Sequence, residues 1–88
     1  YSLTMPLLLD YIALDADHTI TELRAPATFV DRTLRQVDLR GGFAITVLAI
    51  KRGEEFLISP QADIAIQADD LLVLIGSNVN IARLSEQS

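Results

Sequence analysis

Two short apolar runs constrain the fold of this chain more than any other feature of its sequence. Residues 43–50 read FAITVLAI and residues 71–75 read LLVLI, so both alternating sets of side chains are apolar except at Thr46. Runs of this length and pattern are typical of β-strands that are buried on both faces. The sequence therefore predicts a sheet that contains these two runs as buried strands.

Shorter signals predict the elements around these runs. Gly53 can supply the positive φ of a hairpin turn, and Asp31 can cap a short helix that ends at Gly41-Gly42. In chain order we expect strands over 10–14 and 18–24, then this helix, then strands over 43–50 and 56–59. An alternating segment follows at Ile64 and Ile66. The chain would end with a strand over 71–75, broken by Gly76, and a helix from Ser77 or Asn78 to Leu84. This order predicts the α+β class: a small mixed β-sheet, made of a hairpin and buried strands, with two short helices.

Composition narrows the classes of function. A net charge of −5 argues against binding to a nucleic-acid backbone, which needs a basic face. The chain has no cysteine, which excludes a disulfide framework and a thiolate metal site. Its one histidine, His18, follows Asp15 and Asp17 in a predicted turn, where we expect it to be solvated. No nucleophile elbow or phosphate-binding loop occurs, so we expect that the chain is not an enzyme.

Charged pairs on the predicted turns carry little chemistry by themselves. Asp15 with Asp17, and Asp69 with Asp70, offer too few oxygen ligands in one loop for a hard cation, so we expect solvated turns and no metal. The hairpin sequence Lys51-Arg52-Gly53-Glu54-Glu55 predicts a solvated turn with cross-strand ion pairs.

A series of short motifs, taken in their joint order, resembles the RCK_C (TrkA-C) domain family. They are Asp10-Tyr11-Ile12, Glu22-Leu23-Arg24-Ala25-Pro26, Phe29-Val30 with Thr33-Leu34, Asp38-Leu39-Arg40, Ala49-Ile50-Lys51-Arg52-Gly53, Ile58-Ser59-Pro60, and Asp69-x-Leu71-x-Val73-x-Ile75-Gly76. The resemblance covers roughly residues 10–86 and is to the C-terminal domains of cytosolic gating subunits of Ktr/Trk-type bacterial potassium uptake systems.

The resemblance implies an organisation and a set of partners. Residues 1–9 would be a linker or the end of a preceding segment, and residues 10–88 a regulatory ligand-binding domain. We expect a homodimer through this domain, an upstream RCK_N domain that holds the nucleotide site, and a membrane potassium-translocating subunit. The domain itself would have no cofactor, no nucleic-acid polymer as partner and no membrane insertion. It would be cytoplasmic, and peripheral to the inner membrane through the transporter subunit.

The resemblance also implies a regulatory ligand, cyclic di-AMP, bound between two copies so as to lower potassium uptake. This ligand is two-fold symmetric, so a symmetric dimer can offer the same half-site twice. Arg40 would bind a phosphate, with a surface ion pair to Asp38 as the alternative. Leu34, Leu39 and Pro60 would hold an adenine, although Leu34 is equally suited to the core. Thr46 and Val47 occupy positions where the family often has an Asn-Ile pair that hydrogen-bonds the ligand.

Two positions depart from the family pattern. Thr46 offers one hydroxyl where asparagine offers an amide and a carbonyl, a difference of about 1 kcal/mol. Asp31 stands where the family usually has glycine; as a helix cap it is benign, but beside a phosphate it would be repulsive. The alternative function is a ligand-free structural dimerisation module of an antiporter or Trk-type transport subunit.

Overall fold

A computed structural model describes residues 8–87, with side chains from residue 12 onward. Its strands are β1 (Leu8–Ala13), β2 (His18–Arg24), β3 (Thr46–Arg52), β4 (Glu55–Ile58) and β5 (Leu71–Ser77). Its helices are α1 (Leu34–Val37), α2 (Leu39–Phe43) and α3 (Asn78–Ser85), with a 3₁₀ turn at Ala27–Phe29. Strand β1 begins two residues before the predicted strand, and the first seven residues of the predicted linker lie outside the described range.

The strands form one five-stranded sheet in the order β1-β2-β5-β3-β4. The predicted α+β class, the hairpin and the buried strands are confirmed. The sheet is antiparallel at every described pairing rather than mixed. Tight turns join β1 to β2 and β3 to β4, and β5 runs antiparallel to both of its neighbours. Gly53 adopts φ 62° in the β3–β4 turn, as predicted.

The region predicted as one helix capped by Asp31 is two short helices, and Asp31 is not their cap. Thr33 caps α1: its hydroxyl accepts from the Gln36 amide at 3.1 Å, and the Gln36 side chain accepts from the Thr33 amide at 2.9 Å. The helix stops because Asp38 adopts left-handed φ 54°. Both glycines then lie inside α2, which ends where Ala44 adopts φ 55°.

Three further details of the sheet differ from the sequence-based expectation. Strand β3 starts at Thr46 because Phe43 belongs to α2. Ile64 and Ile66 do not form a strand; beyond an isolated bridge at Ala65, this segment pairs its backbone with the chain around α1. Gly76 does not end β5, which continues to Ser77. A Cβ at Gly76 would lie 3.0 Å from Cγ1 of Ile45, so the glycine admits that buried side chain.

The core lies between one face of the sheet and the helices. Leu23, Ile50, Leu72 and Leu74 contribute from the strands, and Phe29, Leu39, Ile45, Ile66, Ile81 and Leu84 from the other side. The predicted cap of α3 is confirmed, since the Ser77 hydroxyl accepts from the Asn80 amide at 3.1 Å. Within residues 8–87, no helix is long and apolar enough to cross a membrane.

A buried ion pair corrects two predictions about turns. Asp70 is 0% exposed rather than solvated, and Arg52 pairs with it rather than with the hairpin glutamates. The guanidinium donates to both carboxylate oxygens, at 3.0 and 2.9 Å, and also to the Ala65 carbonyl at 3.0 Å. The Gln67 amide donates to the same carboxylate at 2.9 Å. Gln67 and Asp70 lie in the loop before β5, and Arg52 ends β3. The ion pair therefore holds this loop against the sheet.

Candidate ligand-binding cleft

One cleft brings together all six residues predicted to bind a ligand. It has a volume of about 350 Å³ and lies between α1, the start of α2, the start of β3 and the segment after β4. Its lining consists of Leu34, Arg35, Asp38, Leu39, Arg40, Ile45, Thr46, Val47, Pro60 and Ala62. The predicted set is therefore one contiguous surface, joined by four residues that were not predicted.

The corner between α1 and α2 shapes the cationic side of the cleft. The left-handed backbone of Asp38 turns the chain sharply. Its carboxylate caps α2 by accepting from the Gly41 amide at 3.1 Å. A Cβ at Gly41 would come within 2.4 Å of Asp38 Oδ2, so only glycine leaves room for this cap. The carboxylate thus faces Gly41, and the alternative ion pair between Asp38 and Arg40 is absent from the described side chains.

Two guanidinium groups are available at this cleft. Arg35 and Arg40 are both solvent-exposed. Among the described residues, neither side chain has a hydrogen bond or an ion pair. Guanidinium groups bind phosphate oxygens through forked hydrogen bonds. Although the chain is acidic overall, the cleft therefore carries a local excess of positive charge that an anion can use.

The apolar side of the cleft divides between core and surface. Leu39 is only 4% exposed and belongs mainly to the core. Leu34 and Pro60 are half-buried, with part of each side chain left open. Pro60 follows Ser59, whose left-handed φ of 48° turns the chain away from β4. Leu34 and Pro60 therefore offer the apolar surface on which a flat ring could rest.

The first residues of β3 contribute backbone as well as side chains. Strand β4 ends at Ile58, so Thr46 and Val47 pair with β5 on one side only. The register shifts between Val47 and Ala49, which is a bulge of the kind that often lies beside binding sites. The Val47 side chain packs against the core. What Val47 can offer a ligand is therefore its backbone, while Thr46 can offer its hydroxyl.

Backbone hydrogen bonds hold the two rims of the cleft together. The Arg35 amide donates to the Ala62 carbonyl at 2.9 Å, and the Leu34 amide to the Ile64 carbonyl at 3.1 Å. The Ile66 amide donates to the Arg32 carbonyl at 2.8 Å. The segment after β4 is therefore fixed against α1, and the cleft is already formed in the single chain.

The geometry also locates residues that the sequence had placed elsewhere or had not identified. Asp31 does not line the cleft; it adopts φ 71°, a backbone conformation that favours glycine. Arg35 was not identified from the sequence; it is exposed and lines the cleft, beside a corner at Asp38 that local sequence patterns do not reveal. Ile45 and Ala62 carry no chemical signal that would have identified them.

The polar turn before β2 does not form a second site. Asp15 accepts from the amides of Asp17 and His18, at 2.7 and 2.8 Å, and from His18 Nδ1 at 3.1 Å. The hydrogen bond from the Asp17 amide, followed by that from the His18 side chain, lowers the pKa of the exposed Asp15 carboxyl. His18, the first residue of β2, is exposed, as predicted. Within the described part of the chain, no cluster of three potential metal ligands occurs.

Comparison with known proteins gives the fold and the cleft a family context. The family model described as the TrkA-C domain matches residues 18–88. Ktr system potassium uptake protein C of Bacillus subtilis (strain 168) is 37% identical over 79 residues, which is 90% of this chain and 36% of that protein. The chain therefore spans about a third of the length of this curated relative.

Solved structures agree with this assignment. The RCK C domain of the potassium transport protein KtrA, solved in complex with cyclic di-AMP, has a TM-score of 0.76 and 35% identity over 78% of this chain and 81% of that one. The RCK_C domain dimer of S. agalactiae BusR, in complex with the same ligand, has a TM-score of 0.70 over 76% and 85% of the two chains, and its 17% identity supports the fold alone. The chain belongs to the TrkA-C (RCK_C) domain family.

Proposed function

We propose that this domain is the regulatory module of a potassium-transporter gating subunit, and that its dimer binds cyclic di-AMP to lower potassium uptake. The observation that carries the proposal is the free guanidinium of Arg40 in a preformed, partly apolar cleft. The KtrA domain, 35% identical to this chain, was solved with the same ligand. The proposal extends to a cytoplasmic location, an upstream RCK_N domain and a membrane potassium-translocating subunit.

The chemistry of the cleft suits one half of this ligand. Cyclic di-AMP carries two phosphates and two adenines related by a two-fold axis, so each copy of the domain needs to bind one of each. Arg40 binds a phosphate, and Arg35 adds a second cation to the same cleft. Leu34 and Pro60, with the edge of Leu39, support an adenine. The Val47 backbone and the Thr46 hydroxyl complete the polar contacts.

The two departures from the family pattern, Asp31 and Thr46, should affect ligand binding to different extents. Asp31 lies outside the cleft lining, so its charge does not oppose a phosphate there at close range. Thr46 does line the cleft, and it can make fewer hydrogen bonds than an asparagine. A loss of about 1 kcal/mol weakens binding by about fivefold without abolishing it.

Binding would regulate transport by linkage. The ligand shifts the attached gating subunit between conformations only to the extent that its affinities for those conformations differ. Because the cleft is preformed in the single chain, that difference has to arise from how two copies are placed relative to each other. The ligand would thus bind more tightly to one relative position of the two copies and shift the population toward it.

Calorimetric titration with cyclic di-AMP tests the proposal. We expect heat of binding with the wild-type protein, and a dissociation constant at least about tenfold higher for Arg40→Ala, since charge-assisted hydrogen bonds contribute about 1.5–3 kcal/mol. Arg32→Ala is the matched control, because Arg32 is exposed and does not line the cleft. A silent titration of the wild-type protein would favour the ligand-free structural module, and unchanged binding by Arg40→Ala would remove Arg40 from the site.

A further inference from the structure

Two side chains of opposite charge, Arg35 and Asp38, line the cleft three residues apart at the end of α1. The Asp38 amide donates to the Leu34 carbonyl at 2.9 Å, so the last turn of α1 is closed. Residues three apart on a helix lie side by side, with about 5–6 Å between their Cβ atoms. Among the described residues, however, no ion pair includes either side chain. The cleft therefore offers a cationic donor and an anionic acceptor that are neighbours and are not joined to each other.

Most of the hydrogen-bonding capacity of this pair is unused. A guanidinium has five N–H donors, and within the described part of the chain the Arg35 side chain makes no hydrogen bond. A carboxylate can accept about four hydrogen bonds. Asp38 accepts one, at Oδ1 from the Gly41 amide, and its Oδ2 has no partner within residues 8–87. A ligand bound here can therefore meet a donor and an acceptor at once.

The charges of the cleft lining leave Arg35 available for a role other than phosphate binding. The charged residues of the lining are Arg35, Arg40 and Asp38, two cations and one anion, with a net charge of +1. Each half of a two-fold cyclic dinucleotide brings one phosphate and one negative charge. Arg40 alone therefore matches the charge of the phosphate, while the charges of Arg35 and Asp38 balance each other.

The backbone places this pair beside the apolar surface on which a flat ring could rest. The Arg35 amide donates to the Ala62 carbonyl at 2.9 Å, which sets Arg35 against the segment after β4. Half-buried Leu34 lies one helical turn before Asp38. Arg40 lies beyond the corner, in α2. The pair is therefore next to the surface for the base, and the phosphate-binding cation is on the other helix.

Guanine satisfies such a pair more fully than adenine does. The Hoogsteen edge of guanine presents O6 and N7, two acceptors that a guanidinium binds through a fork. Its Watson–Crick edge presents N1–H and N2–H₂, two donors from which a carboxylate can accept. Adenine has a donor at N6 beside N7 and an acceptor at N1, so it leaves part of each side chain unpaired. Because O6 lies between the two edges of guanine, side chains about 5–6 Å apart can contact both edges of one base.

We propose that Arg35 and Asp38 bind the edges of a guanine base, and that the cleft takes cyclic dinucleotides that contain guanine. This inference rests on the proposed function for the two-fold arrangement of half-sites and for the contact between Arg40 and a phosphate. It widens the class of ligand, because the apolar surface of Leu34 and Pro60 can support either flat purine. Arg35 and Asp38 are then the residues that determine which base the cleft prefers.

Calorimetric titrations with cyclic di-GMP and cyclic di-AMP test this inference. We expect the wild-type protein to bind cyclic di-GMP at least as tightly as cyclic di-AMP. Arg35→Lys keeps the charge but loses the fork, so the dissociation constant for cyclic di-GMP should rise at least about tenfold and that for cyclic di-AMP clearly less. Asp38→Asn keeps the cap and the left-handed backbone, which asparagine suits, and should also weaken cyclic di-GMP more than cyclic di-AMP. Arg32→Ala, outside the cleft lining, should change neither.

The outcomes separate this inference from the proposed function. Wild-type protein that binds cyclic di-AMP more tightly than cyclic di-GMP overturns the inference and leaves the proposed function standing. Heat from cyclic di-GMP with none from cyclic di-AMP keeps the inference and rejects the proposed ligand. An equal loss of affinity for both ligands in Arg35→Lys would make Arg35 a phosphate contact and overturn the inference. Guanosine 5′-monophosphate has the same base without the two-fold symmetry, so binding as tight as that of cyclic di-GMP would reject a cyclic dinucleotide as the ligand.

Discussion

At the scale of single residues, the Arg52–Asp70 pair shows most clearly how a polar group can be placed inside this small core. Burial raises the pKa of Asp70, but the hydrogen bonds from Arg52 and Gln67 and the attraction of the Arg52 charge outweigh it, so the net pKa is lowered. The same contact with Asp70 raises the pKa of Arg52. Both groups are therefore charged at neutral pH, and each satisfies the other.

Removing the Asp70 charge should destabilise the fold. Asp70→Asn leaves the Arg52 guanidinium partly buried without a counter-ion, and we expect the free energy of unfolding to fall by about 2–4 kcal/mol in urea titrations. Asp69→Asn is the matched control. The Asp69 carboxylate is exposed, and its ion pair with the Arg24 guanidinium is long, at 3.8 Å, and solvent-exposed. That variant should stay within about 0.5 kcal/mol of wild type. Equal effects of the two substitutions would contradict this account.

The same carboxylate should contribute to the acid limit of stability. A folded-state pKa below the unfolded value of about 3.9 adds stability that is present above that pH and is lost as pH falls through the folded pKa. The difference in unfolding free energy between wild type and Asp70→Asn should therefore shrink as pH falls below about 4, because the unfolded wild-type chain then binds a proton that the folded carboxylate still excludes. The decrease ends once pH is below the folded pKa, where Asp70 is neutral in both states. Urea titrations of both proteins at a series of pH values measure this difference in unfolding free energy. A difference that stays constant into strong acid would show that the charge of Asp70 is not responsible.

At the scale of elements, the corner between α1 and α2 is the feature that makes the cleft. Two left-handed residues, Asp38 and Ala44, bound α2. The capping of α2 by Asp38 depends on the absence of a side chain at Gly41. This corner places Arg40 in the cleft lining with the start of β3, and the Asp38 carboxylate accepts a hydrogen bond from the Gly41 amide.

The two adjacent glycines of α2 should respond differently to alanine. At Gly41 a Cβ would collide with the Asp38 carboxylate, so Gly41→Ala should cost about 1 kcal/mol of unfolding free energy through loss of the cap. At Gly42 a Cβ meets nothing within 4 Å. Gly42→Ala should therefore be neutral or stabilise by up to about 1 kcal/mol, because alanine is the better helix former. Thermal denaturation compares them, and the reverse order would mean that the cap does not hold this corner.

Strand and turn chemistry made most of the sheet predictable, while the helical corner was not. Strand β2 and the Gly53 hairpin follow from β-branched alternation and a glycine with positive φ, and both were located from the sequence. The split between α1 and α2 depends on the left-handed Asp38, which local propensity does not reveal. The position of Arg35 depends on that corner. Ile66 is buried as its pattern indicated, but its backbone pairs with Arg32 instead of a strand.

The candidate site was reached through family resemblance rather than through residue chemistry. Arg40 alone, beside Asp38, equally fits an ordinary surface ion pair. What the structure adds is that Asp38 is engaged with Gly41, that the six predicted residues share one cleft, and that Arg35 joins them. The buried pair of Asp70 with Arg52 was not predicted, because consecutive aspartates on a turn are normally solvated.

At the scale of the whole molecule, the proposed function requires two copies of this small domain. One face of the sheet carries the helices, and the other remains apolar and uncovered. A chain of this size buries roughly 60–65% of the surface that its unfolded state exposes, so a partner that binds only the folded state adds stability by mass action. The proposed dimer and the proposed symmetric ligand satisfy the same requirement, because each joins two copies.

The stoichiometry of cyclic di-AMP binding tests the central claim most directly, since a two-fold ligand shared by two half-sites must bind once per pair of chains. In a calorimetric titration of the wild-type protein, the account predicts saturation at about one ligand for every two chains, with weaker binding by Arg40→Ala. Saturation at one ligand per chain, or no binding, would contradict a site built from two copies of this cleft.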